Sequence, residues 1–314
     1  MPVNDRLVAM GEFAASRHGA ITTSQAASFG LDGSTIRQLL TDGQLSNPTP
    51  GVFTLTSMPR TWRQELKVAT LASNQAGIVD ARAAGALHGV DCLLEQGVAL
   101  LLAAPRKIQI PAIEVHVGPR EPIDVTEIDS IPCVTLERAM CDLASVATPF
   151  QVKASFEWYW RTKHDLTPLA ATATRLHRPG QSGTKKILAL LGDAPRRGVP
   201  TESTLEVELE MAIDGIVGLI RQFEVFGPDG RLLGRVDFAV PKAKLAIEAH
   251  SMQWHSGPDQ IRRDLERHRR LAADGWRIRY VTKDDLRDPA AVRFDIERLL
   301  RTGAQPRGYA PPPR

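Results

Sequence analysis

Residues 235–250 constrain this chain more than any other stretch. Arg235-Val-Asp-Phe-Ala-Val240 and Lys244-Leu-Ala-Ile-Glu-Ala-His250 both alternate, with Val236, Phe238 and Val240 between Arg235, Asp237 and Ala239, and with Leu245, Ile247 and Ala249 between Lys244, Ala246, Glu248 and His250. Period-two alternation predicts two half-buried strands, and Pro241-Lys242 supplies the turn between them. A hairpin symmetric about the Lys242–Ala243 bond sets Asp237 directly opposite Glu248. Residues so opposed hold their Cβ atoms roughly 4.5–5.5 Å apart, where like charges destabilise the pair. The sequence therefore predicts a cation between the two carboxylates, and hard divalent ions such as magnesium take oxygen ligands of this kind. The plainer alternative is a solvated sheet edge whose charges discourage edge-to-edge pairing.

The flanks fill in a small α/β core. Upstream, Leu205, Leu209 and Ala212 recur at helical spacing behind Ser203 and Thr204, which are expected to cap that helix. Downstream, Asp259–Ala273 reads as helix, with Ile261, Leu265, His268 and Ala272 on one face and Arg263, Arg267 and Arg270 on another. Trp276-Arg-Ile-Arg-Tyr280-Val then reads as strand. The ordered set Glu206, Arg235-Val-Asp237-Phe, Ile247-Glu248-Ala-His250, His255, Arg263-Asp264-Leu-Glu-Arg267, Leu271 and Gly275-Trp276-Arg resembles the PD-(D/E)XK nuclease superfamily. It looks most like a branch related to the very-short-patch mismatch repair endonucleases, over residues 200–302. The resemblance implies a restriction-endonuclease-like α/β domain in which Asp237 and Glu248 bind Mg2+ or Mn2+ and Glu206 assists them. His250 stands where the family usually has the lysine that activates water. Arg263, Arg267 and Arg270 would neutralise phosphate, a contribution to DNA affinity that does not depend on base sequence.

The first 57 residues read as a separate unit. Leu7, Met10, Phe13 and Ala14 mark one helix, and Thr22 with Gln25 forms a capping box that opens a second. Ser34–Asp42 makes a third helix, with Ile36, Leu39 and Leu40 inward and Thr35, Arg37, Gln38 and Thr41 outward. Gly43–Leu45 and Gly51–Leu55 follow as a hairpin across Pro48 and Pro50. Three helices and a wing predict a winged helix-turn-helix, in which the third helix enters the major groove. Thr35, Arg37 and Gln38 are the expected DNA-reading residues, since arginine pairs guanine and glutamine pairs adenine bidentately.

Residues 58–195 are expected to form an α+β middle domain. Helices are predicted over Trp62–Ser73 and within Ile78–Gly89, strands at Val98–Ala103 and Ile113–Val117, and further helices from Val134 to His177. Gly51-Val-Phe, Ala84-Gly-Ala-Leu-His88-Gly, Glu137-Arg138, Asp142-Leu and Arg178-Pro-Gly give residues 5–195 a resemblance to the AbiEi antitoxin family. That family is the DNA-binding half of a type IV toxin–antitoxin system, so the resemblance implies an autoregulatory DNA-binding protein. Arg138 and Asp142 have the spacing of an intrahelical ion pair, and His88 reads as a helix cap. Gly180–Lys186 lacks the spacing of a phosphate loop and reads as linker. Asp193–Pro200 is the expected domain boundary, and residues 303–314 an expected disordered tail.

Charge and cysteine usage narrow the class. A net charge of +3 on 314 residues leaves phosphate binding to local patches rather than to the whole surface. Cys92, Cys133 and Cys141 have neither disulfide-framework nor zinc spacing and fit a reducing compartment, so a cytoplasmic location is expected. No apolar run is long enough to span a bilayer. Two functions follow: a metal-dependent DNA endonuclease directed by the winged helix, or a non-enzymatic regulator whose nuclease-like fold has lost its chemistry. The expected partners are double-stranded DNA and a cognate toxin protein, with a homodimer allowed and no membrane.

Overall fold

The computed structural model describes residues 3–74, 76–105, 110, 112–179, 182–250 and 258–303. Over these it is a mixed α/β protein with three sheets. Trp254, His255, Gly180, Gln181 and the tail from residue 304 lie outside the described residues. Contacts divide the chain into two compact units, residues 1–148 with 167–188 and residues 149–166 with 189–314.

The first unit opens with helices α1 (Val3–Ala15), α2 (Thr23–Ser28) and α3 (Gly33–Thr41) and strands β1 (Ala20–Thr22), β2 (Leu45–Thr49) and β3 (Val52–Leu55). Thr22 Oγ1 accepts from Gln25 N at 3.2 Å while Gln25 Oε1 accepts from Thr22 N at 2.9 Å, so the expected capping box starts α2. Asp32 caps α3 by accepting from Thr35 N at 2.8 Å. The hairpin gains a strand that periodicity alone does not reveal, since β1 pairs with β3 in the order β1-β3-β2. Pro48 is tolerated because β2 is an edge strand. Met10, Ala14, Ile21, Ile36, Leu39 and Phe53 close the small core.

The same unit continues with α4 (Trp62–Ala72), β4 (Gly77–Val79), α5 (Ala81–Leu87), β5 (Val98–Leu102), β6 (Ile113–Val117), β7 (Val125–Ile128), β8 (Ile131–Val134) and α6 (Leu136–Val146). Its sheet runs β6-β5-β4-β8-β7, with β5–β6 and β4–β8 parallel. Strands β4, β7 and β8 go beyond the expected pair, being too short to show a period. After α7 (Pro149–Lys163) and α8 (Thr167–Leu176), α9 (Ser182–Arg197) corrects the expectation of linkers. Gly183 to Lys186 and Asp193 to Arg197 are both helical. A Cβ at Gly183 would sit 2.7 Å from the Cys141 carbonyl oxygen and 2.2 Å from Ser145 Oγ. That glycine therefore serves close packing of α9 on α6.

The second unit holds α10 (Thr204–Ala212), β9 (Ile220–Phe226), β10 (Leu232–Val240), β11 (Leu245–His250), α11 (Pro258–Ala273), β12 (Arg277–Thr282) and α12 (Pro289–Thr302). The sheet order is β12-β11-β10-β9, antiparallel except for the parallel β11–β12 pair. Leu209, Phe238, Ile247, Val281, Ile296 and Leu299 form one core, from α10, the sheet and α12. Val225, Ala239, Ala246, Leu271, Trp276 and Ile278 form another, beneath α11.

A buried charge network ties α7 into this unit. Arg221 of β9 bonds Glu210 of α10, with Nε to Oε1 at 2.5 Å, and Glu157 of α7, with Nη2 to Oε1 at 2.9 Å. Arg197 and the Thr201 amide also bond the fully buried Glu157, and Lys153 meets Glu210 at 2.8 Å. Burial alone would raise the Glu210 carboxyl, yet Arg221 and Lys153 hold it below its usual value. Removing one partner of a buried pair strands the other charge, at a cost of about 3–5 kcal/mol. Arg221→Met should lower the stability of this unit by that amount in urea unfolding; a loss under ~1 kcal/mol would mean the network is as weak as a surface pair.

Candidate functional site

The β10–β11 register fixes the site. Phe238 pairs with Ile247, Ala239 with Ala246 and Val240 with Leu245, which carries Asp237 opposite Glu248 as the sequence predicts. Pro241–Ala243 closes the turn as a 3-10 segment, with Lys244 left-handed at φ 44°. The other two pairings extend the row. Arg221 and Phe223 face Phe238 and Val236, leaving Gln222 opposite Asp237, and Glu248 pairs with Tyr280. Gln222, Asp237, Glu248 and Tyr280 thus form a polar row across all four strands.

The side chains around this row are tightly committed. Asp237 Oδ2 accepts from the Ala249 amide at 2.9 Å. Glu248 is buried and receives Arg267 in a fork, at 2.9 Å to Oε1 and 2.7 Å to Oε2. Arg267 also donates to the Arg235 carbonyl at 2.8 Å. Glu206, buried at the start of α10, accepts from the Glu202 amide at 2.9 Å, from Ser203 Oγ at 2.9 Å and from Gln222 Nε2 at 2.8 Å. Gln222 makes that contact from a left-handed backbone, φ 46°, a strained conformation for a residue with a side chain. Ser203 caps α10 as expected, accepting from the Glu206 amide at 3.2 Å. His250 is half-buried and packs edge-on against Tyr280, ring centroids 5.4 Å apart.

Arg267 reaches Glu248 because β10 lets it through. A β-bulge between Leu232 and Gly234 bends the strand, and a Cβ at Gly234 would lie 2.8 Å from Arg267 Cγ. Helix α11 is accordingly turned so that Arg267 and Leu271 face inward, while Leu265 of the expected apolar face is exposed. Arg267 thus stands apart from Arg263 and Arg270: its guanidinium neutralises Glu248, whereas Arg263 is exposed and Arg270 partly so. On α3, Arg37 and Gln38 are exposed, with Gln38 Nε2 donating to Asp42 at 2.8 Å. Thr35 is held by the cap, its hydroxyl donating to Asp32 at 2.9 Å.

The electrostatics show a surplus of negative charge. Burial, followed by the charges of Glu206 and Glu248, pushes the Asp237 carboxyl up to about 7, against the Ala249 amide and Arg267. Burial likewise raises Glu206 despite its hydrogen bonds. Burial and the Glu248 charge push the Tyr280 phenol up to about 12. Among the described residues no group of three or more histidine, cysteine or carboxylate side chains is placed to hold a metal ion, so a hard divalent cation at this row would rest on two carboxylates. Asp237 and Glu248 are the residues that would hold it, and Glu248 would have to give up the Arg267 fork to do so.

No family model matches the chain. Two relatives from strains of Mycobacterium tuberculosis, both called uncharacterized proteins, are 35% identical to it over 123 residues. The match covers 38% of this chain and 45% of each relative, so the chain spans less than half the length of the relatives it resembles.

The Asp237 carboxyl generates a pH prediction. Its unfolded value is near 3.8 and its folded value about 7, so between these the folded state binds the extra proton. The contribution of Asp237 to stability therefore falls as pH rises through that window and levels off above it. Asp237→Asn keeps an acceptor for the Ala249 amide without the charge. Its stability relative to the parent should climb from pH 4 to pH 7, as read by urea unfolding at each pH; a flat difference would show that Asp237 is not crowded.

Proposed function

We propose that the chain is a DNA-binding protein whose C-terminal unit carries a nuclease-like carboxylate site. The observation that supports this best is the row of Asp237 and Glu248 with Glu206 beside it, on a hairpin flanked by the arginine-bearing α11. On this reading, residues 1–57 form a winged helix-turn-helix with α3 as the reading helix, residues 58–195 an AbiEi-like middle domain, and residues 200–302 a restriction-endonuclease-like domain. Asp237 and Glu248 hold magnesium or manganese, which supplies Lewis acidity at a scissile phosphate when bound. Asp237 and Glu206 add the negative charge that draws the ion in, and His250 takes the place of the water-activating group.

The first 57 residues carry only Arg6, Arg17 and Arg37 against Asp5, Glu12, Asp32 and Asp42. Most phosphate affinity must therefore come from elsewhere, and α11 offers Arg262, Arg263, Arg269 and Arg270. A second reading is favoured by Arg267, which occupies both oxygens of Glu248. There the nuclease-like site is a structural ion pair, and the chain is a non-enzymatic regulator acting with a cognate toxin protein, as a monomer or a homodimer.

Incubating plasmid DNA with the purified chain and magnesium or manganese separates the two readings. Nicking that disappears in Asp237→Asn/Glu248→Gln supports the enzyme; intact plasmid at every metal concentration supports the regulator. Metal binding is read separately by thermal shift: magnesium or manganese should raise the melting temperature of the parent by mass action, and leave the double variant unmoved. An equal response in both would remove Asp237 and Glu248 as the metal-holding pair; the hairpin is not the solvated edge the sequence allowed, since β10 and β11 are the inner strands and Glu248 is buried. For DNA, Arg37→Ala/Gln38→Ala should cost about 1–3 kcal/mol of discrimination for each lost base contact. Arg263→Ala and Arg270→Ala should weaken binding to all sequences and each lower the salt slope by about 1. Gel-shift titrations across a salt series test both, and unchanged site preference would remove α3 from the reading.

A further inference from the structure

A second carboxylate pair lies in the first unit, apart from any site considered above. Asp80 follows β4 at the position that caps α5, yet its side chain makes no capping bond. The next residue, Ala81, takes a left-handed φ of 47°, unfavourable for any residue with a Cβ. The outcome is a carboxylate only 1% exposed, with Oδ2 on His116 Nδ1 at 2.8 Å. Its other oxygen, Oδ1, has no hydrogen-bond partner among the described residues. Asp142 of α6 lies against it, its own Oδ2 taken by Arg138 Nε at 2.6 Å. Arg138 in turn bonds Asp124 at 3.2 Å, and Arg175 bonds Asp124 from the other side.

These groups line a cavity of about 440 Å³ with apolar walls from Leu101, Val117, Val146 and Leu176. The wall is polar and apolar in similar measure, and a pocket of this size with converging polar groups can take a small molecule. Its polar side is complete except at one place. Arg138 and Arg175 are neutralised by Asp142 and Asp124, and His116 is already on Asp80. No other described side chain donates to Asp80 Oδ1, so a proton shared with Asp142 is all that serves it, and once that proton leaves, two adjoining carboxylates lack a positive charge. Burial, then the charge of Asp80, pushes Asp142 up to about 8, so a proton separates the pair at neutral pH. The hydrogen bond that His116 donates to Asp80 raises His116 as well.

We propose that this cavity binds an organic cation bearing N–H donors, of the amidinium or guanidinium class, with its donors on Asp80 Oδ1 and the Asp142 carboxyl. A planar donor fits better than a metal ion, because His116 Nδ1, Asp80 Oδ2 and Asp142 Oδ2 are already spent on one another and on Arg138. The cation takes the place of the proton between the two carboxyls, so binding releases protons and strengthens as pH rises. The charged groups around it, namely Asp80, His116, Glu121, Asp124, Arg138, Asp142, Arg175 and Arg178, agree with that sign. Losing the Asp142 and His116 protons makes the surroundings more negative, while the arginines and the remaining carboxylates keep their charge.

Calorimetric titration of the full chain with benzamidine and with agmatine, at pH 7 and pH 9, tests this. We expect saturable one-to-one binding by at least one of them, roughly tenfold tighter at pH 9 for the release of one proton. Tetramethylammonium, a cation without N–H donors, should not bind. Asp80→Asn should abolish binding, and Asp142→Asn, fixed in its neutral form, should bind with a flattened pH profile. No binding of either probe at either pH overturns the proposal, as does equal binding of tetramethylammonium. Undiminished binding by Asp80→Asn also overturns it, and so does a magnesium response that Asp80→Asn removes. If Asp80→Asn does not fold, an unchanged pH dependence in Asp142→Asn is the overturning result. The proposal is independent of the Asp237–Glu248 site, since none of these residues belongs to the second unit.

Discussion

The fork of Arg267 on Glu248 is the interaction on which the second unit turns. Antiparallel pairing of β10 with β11 sets two carboxylates face to face, and one of them is buried. A buried charge is tolerable only when paired and hydrogen-bonded. The guanidinium meets that demand bidentately, the strongest geometry available to a carboxylate. Its stem needs room, which Gly234 and the bulge beside it provide. Helix α11 must then present Arg267 and Leu271 to the sheet together, which sets its rotation and leaves Leu265 in solvent.

Charge balance at the site is nevertheless incomplete. Arg267 satisfies Glu248, while Asp237, raised by burial first and then by the charges of Glu206 and Glu248, keeps with Glu206 a surplus of negative charge. That surplus is relieved either by a proton or by a cation. Proton and cation compete for the same electrostatic deficit, so metal affinity in such a site depends on pH. The two proposed readings, enzyme and regulator, differ in whether Glu248 would give up its guanidinium for an ion.

The first unit meets the same difficulty with the same kind of residue. Asp80 and Asp142 adjoin, and Arg138 braces the pair through Asp142 and on to Asp124. Arg221 between Glu157 and Glu210 is a third instance, and here both carboxylates are paired with cations. The difference matters for function. Where every carboxylate has its cation the network serves packing, whereas the two places with a raised carboxyl, Asp237 and Asp142, are those where a bound cation is proposed.

What the sequence determined by itself was local. Alternation and a short turn set the β10–β11 register, because shifting a strand by one residue would turn its apolar face to water. Capping of α2 and α10 was legible for the same reason, since donor and acceptor lie within one helical turn. The Arg138–Asp142 pair was also visible as a four-residue spacing. Only the tertiary structure decided the rest. The parallel pairing that brings Tyr280 beside Glu248 depends on a crossover through α11, for which no turn dictates a register. The rotation of α11 follows from an ion pair rather than from its apolar pattern. Asp80, His116 and Asp142 come from three distant segments, and Glu157 meets Arg221 across 64 residues. Each of those meetings is selected by burial, where an unpaired charge costs most, and burial is a property of the folded chain alone.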